Sequence, residues 1–265
     1  MPDRWRLLET FDVSPTDAMG LDEALLRSID TEPCSVPTLR LYTWSPDAIS
    51  LGYFQSFEDV PAAKDHAHVV RRLTGGGAIH HHSAELTFSI TLGGDDPAYR
   101  GSIPASYERT HRAIITALRS IGVPDVRMRR DERSSSDTQG TGMCFHESTA
   151  QDISWTDGEL PGGLRKGVGT AQRRTGGRIL HHGSIKVGGS PLESGVATVS
   201  SVVPGATVDS VALALKEAIA GEFGITLYAS APSPEETARA AELGRRYAEP
   251  TFIHRRLKAR SRRPS

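Results

Sequence analysis

The thiol of Cys144 is the side chain of this sequence best suited to covalent catalysis. It lies in the segment GMCFHES, with His146 two positions further on and a polar stretch before it. A lone cysteine of this kind is often a small buried hydrophobe, but a neighbouring cation would stabilise the thiolate and make it a nucleophile. The second cysteine, Cys34 in TEPCS, has no such neighbours and is expected to be inert.

Two glycine-rich segments could shape a ligand site. In RRLTGGGA, the consecutive residues Gly75, Gly76 and Gly77 would let a ligand approach the backbone, and Arg72 would add donors that suit a phosphate or a carbonyl group. In KGVGTAQRR, small residues surround Lys166, which would present a positive charge to a developing oxyanion. Taken alone, the two segments are equally compatible with a flexible hairpin and a surface lysine.

The triplet His80 to His82 raises the question of a metal site. On an extended strand, His80 and His82 point to one side and His81 to the other, so only two of them could share an ion. No cysteine or carboxylate with zinc-site spacing lies nearby. We therefore expect no metal here, but an imidazole that hydrogen-bonds a substrate.

The sequence also indicates the elements that hold these segments. Helix starts are marked by Ser14, Thr207 and Ser233 at capping positions, and a further amphipathic helix is predicted over 107–121. The strand-like segments are 39–42, 48–51, 68–71, 86–90 and 179–187. In 86–90 apolar and polar residues alternate, so one face is predicted to be core and the other exposed or site-lining. Strands in adjacent pairs favour an α+β domain with a mixed or antiparallel sheet.

Composition excludes several classes of protein. With 31 basic and 32 acidic residues the net charge is −1, which argues against a nucleic-acid protein driven by phosphate neutralisation. There is no apolar run that could span a bilayer and no secretory signal pattern. Two cysteines do not make a disulfide framework, so a cytoplasmic protein is expected. The polar stretch 129–142 is predicted to be a mobile loop, and the basic end of the chain a solvated tail.

Taken together, these motifs resemble the superfamily of lipoate-protein ligases, octanoyltransferases and biotin-protein ligases. The resemblance rests on RRLTGGGA, ELTFS, KGVGTAQRR and HHGSI in this order, with LDEALL and SLGYFQ before them. It implies a catalytic domain over residues 1–250, built on a central, mixed, mainly antiparallel sheet flanked by helices, and a basic tail over 251–265. It also implies a hydrophobic slot for a medium-chain acyl group.

The segment CFHESTAQDI, about twenty residues before Lys166, resembles the nucleophile segment of the cysteine-dependent octanoyltransferases. The chain after Tyr247 is also too short for the accessory domain common in ligases. The resemblance therefore implies transfer of octanoyl from acyl carrier protein, through a thioester on Cys144, to a lysine of a lipoyl-domain protein. The acceptor would be a glycine-cleavage H protein or a dehydrogenase E2 subunit, and no cofactor, nucleic acid or membrane would be required.

In this resemblance Cys144 and Lys166 are the catalytic residues. The substrate-binding residues that it implies are Arg72, Gly75, Gly76, Gly77, His81, Gly169, Thr170, Ala171, His182 and Gly183. Either His81 or His82 takes the family's histidine position. Two alternatives stay open. One is an ATP- and magnesium-dependent lipoate ligase, because GGGA is the form typical of ligases, whereas the transferases often have an arginine at the position of Gly77. The other is a non-catalytic acyl-binding relative.

Overall fold

The part of the chain that the computed structural model describes, residues 4–29, 36–157 and 163–255, contains seven α-helices and eleven β-strands. The helices are α1 (Pro15–Ser28), α2 (Pro61–Lys64), α3 (Ile103–Ser120), α4 (Val199–Val202), α5 (Val208–Phe223), α6 (Pro234–Tyr247) and α7 (Pro250–Ile253). The strands are β1 (Arg4–Val13), β2 (Thr38–Trp44), β3 (Ala48–Leu51), β4 (Val69–Arg71), β5 (Ile79–His81), β6 (Glu85–Gly93), β7 (Arg127–Met128), β8 (Ile153–Thr156), β9 (Leu164–Thr175), β10 (Arg178–Lys186) and β11 (Thr226–Ala229). Cys34 and most of the predicted tail lie outside the described residues. None of the described helices has the length and apolar character needed to cross a membrane.

Eight of these strands form one sheet, in the order β11–β1–β2–β6–β10–β9–β8–β7. Strand β1 runs parallel to both β11 and β2, and every other neighbouring pair in this sheet is antiparallel. The other three strands form a small sheet in the order β4–β3–β5. The predicted α+β fold, with a mixed, mainly antiparallel sheet flanked by helices, is confirmed.

The predicted helix starts are confirmed by their capping bonds. Ser14, Thr207 and Ser233 each accept a hydrogen bond on the side chain from the amide three residues later. Helix α3 begins earlier than the predicted range 107–121, because Ser102 caps it and a proline follows in its first turn. A capping residue followed by an apolar repeat therefore predicted the starts of α1, α5 and α6.

Alternation along the strands gives the large sheet two different faces. Leu41 of β2, Phe88 of β6 and Ile185 of β10 lie on one face, in the main hydrophobic core with residues of α3 and α5. The neighbouring positions, such as Thr87, face the other side, where α1 contacts β2, β6 and β10. This second face is polar, and it is the face that carries the site.

A buried carboxylate on α1 holds that helix to the polar face. Asp22 accepts hydrogen bonds from Arg40 at 2.8 Å, Ser89 at 2.8 Å and the Tyr42 hydroxyl at 3.0 Å, and lies 3.3 Å from Nδ1 of His182. Burial opposes the charge, but the bond with His182 and the charge of Arg40 outweigh it and lower the pKa of Asp22. The ionised carboxylate therefore ties α1 to three strands at once.

We expect Asp22→Asn to lower the free energy of unfolding by about 3 kcal/mol at pH 7, because it leaves the Arg40 guanidinium buried without a counter-charge. In the wild type this stabilisation is complete above the unfolded-state pKa of about 3.9 and is lost as the pH falls toward the lower folded-state pKa. The difference between the two proteins should therefore shrink on acidification. Urea unfolding from pH 7 to pH 3 measures it, with the exposed Asp131→Asn as control; a pH-independent difference would contradict the account.

The polar segment 129–142 follows β7 and contains no strand of its own, but it is tied to the sheet by an isolated bridge between Ser134 and Leu164. Ser134 and Ser136 are buried, and the Ser136 hydroxyl accepts a hydrogen bond from the Lys166 amide at 3.1 Å. Part of the segment that was predicted to be a mobile loop thus supports the strand that carries the predicted catalytic lysine.

The predicted boundary between the catalytic domain and the tail, after residue 250, falls inside α7. The Arg71 side chain donates hydrogen bonds to the carbonyl oxygens of Phe252, at 2.9 Å, and Ile253. It also donates to the carbonyl oxygen of Gly52 at 2.7 Å, in the loop after β3. The first residues of the predicted tail therefore belong to the folded domain.

Candidate active site

Cys144 and Lys166, predicted as the catalytic pair, lie side by side. Nζ of Lys166 is 3.3 Å from Sγ of Cys144 and donates a hydrogen bond to the Cys144 carbonyl oxygen at 2.7 Å. The same ammonium group is 2.9 Å from the carboxylate of Asp152, which also accepts a hydrogen bond from the Thr149 amide at 2.6 Å. Lys166 is 1% exposed, whereas Cys144 is partly exposed. A partly exposed thiol is therefore in contact with a buried cation.

The positive charge of Lys166 is stabilised in spite of its burial. Burial by itself lowers the pKa of Lys166, but the negative charges of the Cys144 thiolate and the Asp152 carboxylate outweigh it and raise that pKa. Lys166 is therefore an ammonium ion at neutral pH. In that form it can stabilise a thiolate or a developing oxyanion.

A β-bulge at Gly167 turns Lys166 toward the cysteine. The pairing of β9 with β8 skips Gly167, so this glycine is an extra residue on β9. In a regular strand the side chains of Lys166 and Gly169 would point to opposite faces. Because of the bulge they share a face: a Cβ added to Gly169 would lie 3.2 Å from Sγ of Cys144 and 3.4 Å from Cε of Lys166. The Trp155 ring fills the space beside Gly167, where an added Cβ would lie 1.9 Å from it. Only glycine fits this bulge.

The glycine loop holds the segment that carries the thiol. The Ala78 amide donates to the Gly142 carbonyl oxygen at 2.8 Å, and the Cys144 amide donates to the Ala78 carbonyl oxygen at 2.6 Å. A Cβ on Gly77 would lie 2.9 Å from the Cys144 nitrogen and 3.0 Å from the Gly142 carbonyl oxygen. Gly77 was predicted to bind substrate with Gly75 and Gly76. It borders a groove beside Cys144 and packs against the backbone of the segment that carries Cys144, where a larger residue would displace the thiol.

A narrow cavity, with about 400 Å³ of atom-free space including its mouth, adjoins Cys144 on the polar face of the sheet. The strand register aligns Gly169, Ser184, Thr87 and Tyr42 in one row across β9, β10, β6 and β2. Three strand spacings of about 4.8 Å make this row about 14 Å long. The cavity exists because the row begins with three small residues and reaches a large one only at Tyr42.

Most of the predicted binding residues line this cavity. They are Arg72, Gly75, Gly76, His81, Gly169, Thr170, Ala171, His182 and Gly183. Thr87 also lines it, on the face of β6 that the alternation marked as exposed or site-lining. Sequence reasoning missed Trp44 and Ser50 in the cavity wall and Asp152 beside the lysine. Asp152 stood within the recognised segment CFHESTAQDI, but its spacing from Lys166 gave no signal of contact.

His81, rather than His82, faces the cavity. Its Nδ1 lies 2.6 Å from the Glu85 carboxylate and its Nε2 lies 2.8 Å from the Ser50 hydroxyl oxygen. Burial lowers the pKa of His81 to about 4, although Glu85 opposes this, so the ring is neutral at pH 7. The rings of His80 and His82 stack together at 5.4 Å, as strand alternation predicts. Within the described ranges, no group of three or more potential ligand side chains could hold a metal ion.

Cys144 also borders a wide groove. The groove shares Gly76, Cys144 and Thr170 with the cavity and reaches Lys166 and Asp152. The thiol therefore lies where a narrow cavity meets a wider groove. One ligand chain can be buried in the cavity while a second molecule approaches the thiol along the groove.

We expect Gly167→Ala to lower the free energy of unfolding by about 1–3 kcal/mol, the usual range for overpacking a core, since its Cβ would overlap the Trp155 ring. Any folded fraction should show slower alkylation of Cys144 by iodoacetamide, because a displaced bulge moves the Lys166 ammonium away from the sulfur. Gly189→Ala, at a glycine whose added Cβ would meet nothing within 4 Å, is the matched control. Equal thiol reactivity in the two variants would contradict the role of the bulge.

Comparison with known proteins identifies a family and several similar sequences and structures. A model of the lipoyl protein ligase A/B catalytic domain matches residues 14–207. The octanoyltransferase LipM of Moorella thermoacetica is 42% identical over 185 residues, which cover 68% of this chain and 64% of that protein. The LipM of Clostridioides difficile is 32% identical over 186 residues, covering 69% and 65%. The matches thus span slightly less than two thirds of these relatives' length.

Two solved structures of similar shape are those of ligases. A candidate lipoate protein ligase from T. acidophilum with bound lipoic acid has a TM-score of 0.74 and 26% identity, over 96% of this chain and 99% of that chain. A lipoate-protein ligase A bound with ATP has a TM-score of 0.74 and 25% identity, over 97% and 100%. The fold is thus shared by proteins named as transferases and as ligases, and the site itself has to distinguish the two.

Proposed function

Because this chain belongs to the lipoyl protein ligase A/B catalytic-domain family, we propose that it is an octanoyltransferase of protein lipoylation that requires no nucleotide. The observation that carries the proposal is the 3.3 Å separation of the Cys144 sulfur and the Lys166 nitrogen where the cavity meets the groove. The donor is octanoyl on acyl carrier protein. The acceptor is a lysine of a lipoyl-domain protein, a glycine-cleavage H protein or a dehydrogenase E2 subunit. The similarity to proteins named octanoyltransferase supports this assignment.

In the first half-reaction the Cys144 thiolate adds to the carbonyl carbon of the donor thioester. The tetrahedral oxyanion forms beside the Lys166 ammonium, which stabilises it. The bond from the carbonyl carbon to the donor sulfur then breaks, and the donor leaves as a thiol after taking up the proton that Cys144 has lost. One thioester replaces another, so the step requires no ATP.

In the second half-reaction the neutral amine of the acceptor lysine attacks the octanoyl thioester on Cys144. The second oxyanion forms at the same carbonyl carbon, again beside Lys166. Its collapse releases the Cys144 thiolate and leaves the octanoyl group in an amide, while the proton of the attacking amine passes to the solvent or to the thiolate. An amide is much more stable than a thioester, which makes this step the driving one.

The row of strand positions from Gly169 to Tyr42 has the length of a chain of about eight carbons. With bonds of about 1.5 Å meeting at about 111°, each bond of an extended chain advances about 1.25 Å, so the seven carbon–carbon bonds of octanoyl span about 9 Å. The carbon–sulfur bond and the terminal methyl group take up most of what remains of the row of about 14 Å. Trp44 stands at the far end, where its indole nitrogen donates to Thr87 at 2.8 Å and its ring stacks on His81 at 3.9 Å.

The acyl-enzyme is the first thing to test. Octanoyl-carrier protein and no ATP should add the mass of one octanoyl group to the wild type, and Cys144→Ala should abolish the adduct. Lys166→Gln should slow its formation by roughly 100-fold, the effect of removing one oxyanion partner. Intact-mass spectrometry with time measures both, and the exposed Lys64→Gln serves as the matched control for loss of a lysine charge.

The same experiment separates the alternatives. Transfer to a lipoyl domain that needs ATP and magnesium and persists in Cys144→Ala would overturn the proposal in favour of a lipoate ligase. No adduct, together with slow alkylation of Cys144 by iodoacetamide at neutral pH, would instead indicate a non-catalytic acyl-binding protein.

Chain length gives a further prediction. A dodecanoyl group has eleven carbon–carbon bonds and spans about 14 Å, so the wild type should prefer octanoyl to dodecanoyl by at least about tenfold. Trp44→Leu should reduce this preference several-fold by lengthening the cavity, and Trp44→Ala should reduce it further where it remains folded. Competition between the two acyl-carrier proteins, read as the ratio of adduct masses on Cys144, measures the preference. An unchanged ratio in both variants would show that Trp44 does not close the cavity.

A further inference from the structure

Four guanidinium groups surround the glycine loop, and within the described residues none of them forms an ion pair with a carboxylate. Arg71 and Arg72 are buried and donate to backbone carbonyl and hydroxyl oxygens. Arg173 and Arg255 are partly exposed and also donate to backbone carbonyl oxygens. Positive charge therefore accumulates around the glycine loop, where Arg72 reaches the cavity wall, and no carboxylate of the described residues pairs with it.

The ring of Tyr53 holds the two partly exposed guanidinium groups in place. The Cζ atoms of Arg255 and Arg173 lie 3.7 Å and 4.8 Å from the ring centroid, which is cation–π geometry. Arg173 also donates to the carbonyl oxygen of Leu73, at 3.0 Å, and Arg255 to that of Tyr53, at 2.8 Å. The hydrogen bond from Arg255, and then the charges of both arginines, lower the pKa of Tyr53 although partial burial opposes this. Both side chains are thus positioned before any ligand arrives.

Arg173 lies on the face of β9 that meets the thiol. Gly169, Ala171 and Arg173 pair regularly with β10, so all three side-chain positions share one face. A Cβ on Gly169 would stand 3.2 Å from Sγ of Cys144. Four residues at about 3.4 Å each place Arg173 about 14 Å along the strand from that point.

We propose that Arg173 and Arg255 bind the phosphodiester of the arm that presents the octanoyl thioester, an inference that rests on the proposed function. The arm of a carrier protein runs from its sulfur to its phosphate through about thirteen bonds, or about 16 Å when extended. That length reaches from the Cys144 sulfur to Arg173. Phosphate oxygens accept the forked N–H donors of guanidinium groups, and the phosphate supplies a counter-charge to the two arginines.

Two small donors that differ only in the phosphate test the inference: octanoyl-pantetheine and octanoyl-4′-phosphopantetheine. The rate of octanoyl addition to Cys144, measured by mass spectrometry with the full chain, should be at least about tenfold higher for the phosphorylated donor. In Arg173→Gln/Arg255→Gln this ratio should fall to about one, and in Arg173→Lys/Arg255→Lys it should be partly restored, because lysine keeps the charge but loses the fork. Added salt should lower the wild-type ratio.

Arg112→Gln is the matched control. Arg112 lies on α3, on the opposite face of the sheet, and its exposed guanidinium pairs with Glu222 of α5. Its loss should leave the ratio as in the wild type. A wild type that does not distinguish the two small donors, or a glutamine variant that keeps the full ratio, would overturn the inference. The inference would also be overturned if the arginine variants slowed the reaction only with the intact carrier protein as donor. In that case the arginines would bind acidic side chains of the carrier protein rather than the phosphate. Adduct formation from the neutral donor in the wild type would leave the proposed function standing in each of these cases.

Discussion

The buried positive charge of Lys166 is the interaction on which the site depends. An ammonium group removed from water costs several kcal/mol unless it is paired, and its partners, Cys144 and Asp152, both come from one short segment after the polar loop. The Lys166 ammonium can therefore stay buried only while that segment supplies its counter-charges. In the proposed reaction, acylation removes the charge of the thiolate and leaves the carboxylate as the remaining anionic partner. The ammonium is then free to turn toward the next oxyanion.

The space for the proposed acyl chain results from side chains that are small or missing. Gly169, Ser184 and Thr87 form a floor on a sheet whose opposite face is fully packed with apolar residues. Gly167 and Gly77 act differently, because their lack of a side chain lets Trp155 and the nucleophile segment come close. Gly169 therefore leaves space for the cavity, whereas Gly167 and Gly77 allow the close packing that positions Lys166 and Cys144. A larger residue would fill the cavity at Gly169 but would displace the neighbouring backbone or ring at Gly167 and Gly77.

The sequence located most of the fold and the site because both rest on local signals. Capping residues marked the helices, and ordered motifs marked the pair of Cys144 and Lys166. It could not reveal the bulge at Gly167, because the bulge is defined by pairing with a strand distant in sequence. The sequence analysis grouped Gly77 with Gly75 and Gly76 as substrate-binding residues. Three consecutive glycines give no indication of which one packs against a neighbouring backbone segment. Asp152 was missed for a related reason, since its contact with Lys166 arises only when two strands meet.

The meeting of a narrow cavity and an open groove at Cys144 bears on why the proposed reaction passes through the enzyme. A donor arm that reaches from the thiol toward Arg173 and an acceptor protein that presents a lysine along the groove both need access to the same carbonyl carbon. Storing the octanoyl group on Cys144 lets the first partner leave before the second arrives. The chain stays buried during the exchange, which preserves about 0.8 kcal/mol for each methylene kept from water. A covalent intermediate therefore replaces a three-body encounter with two successive docking events at a single opening.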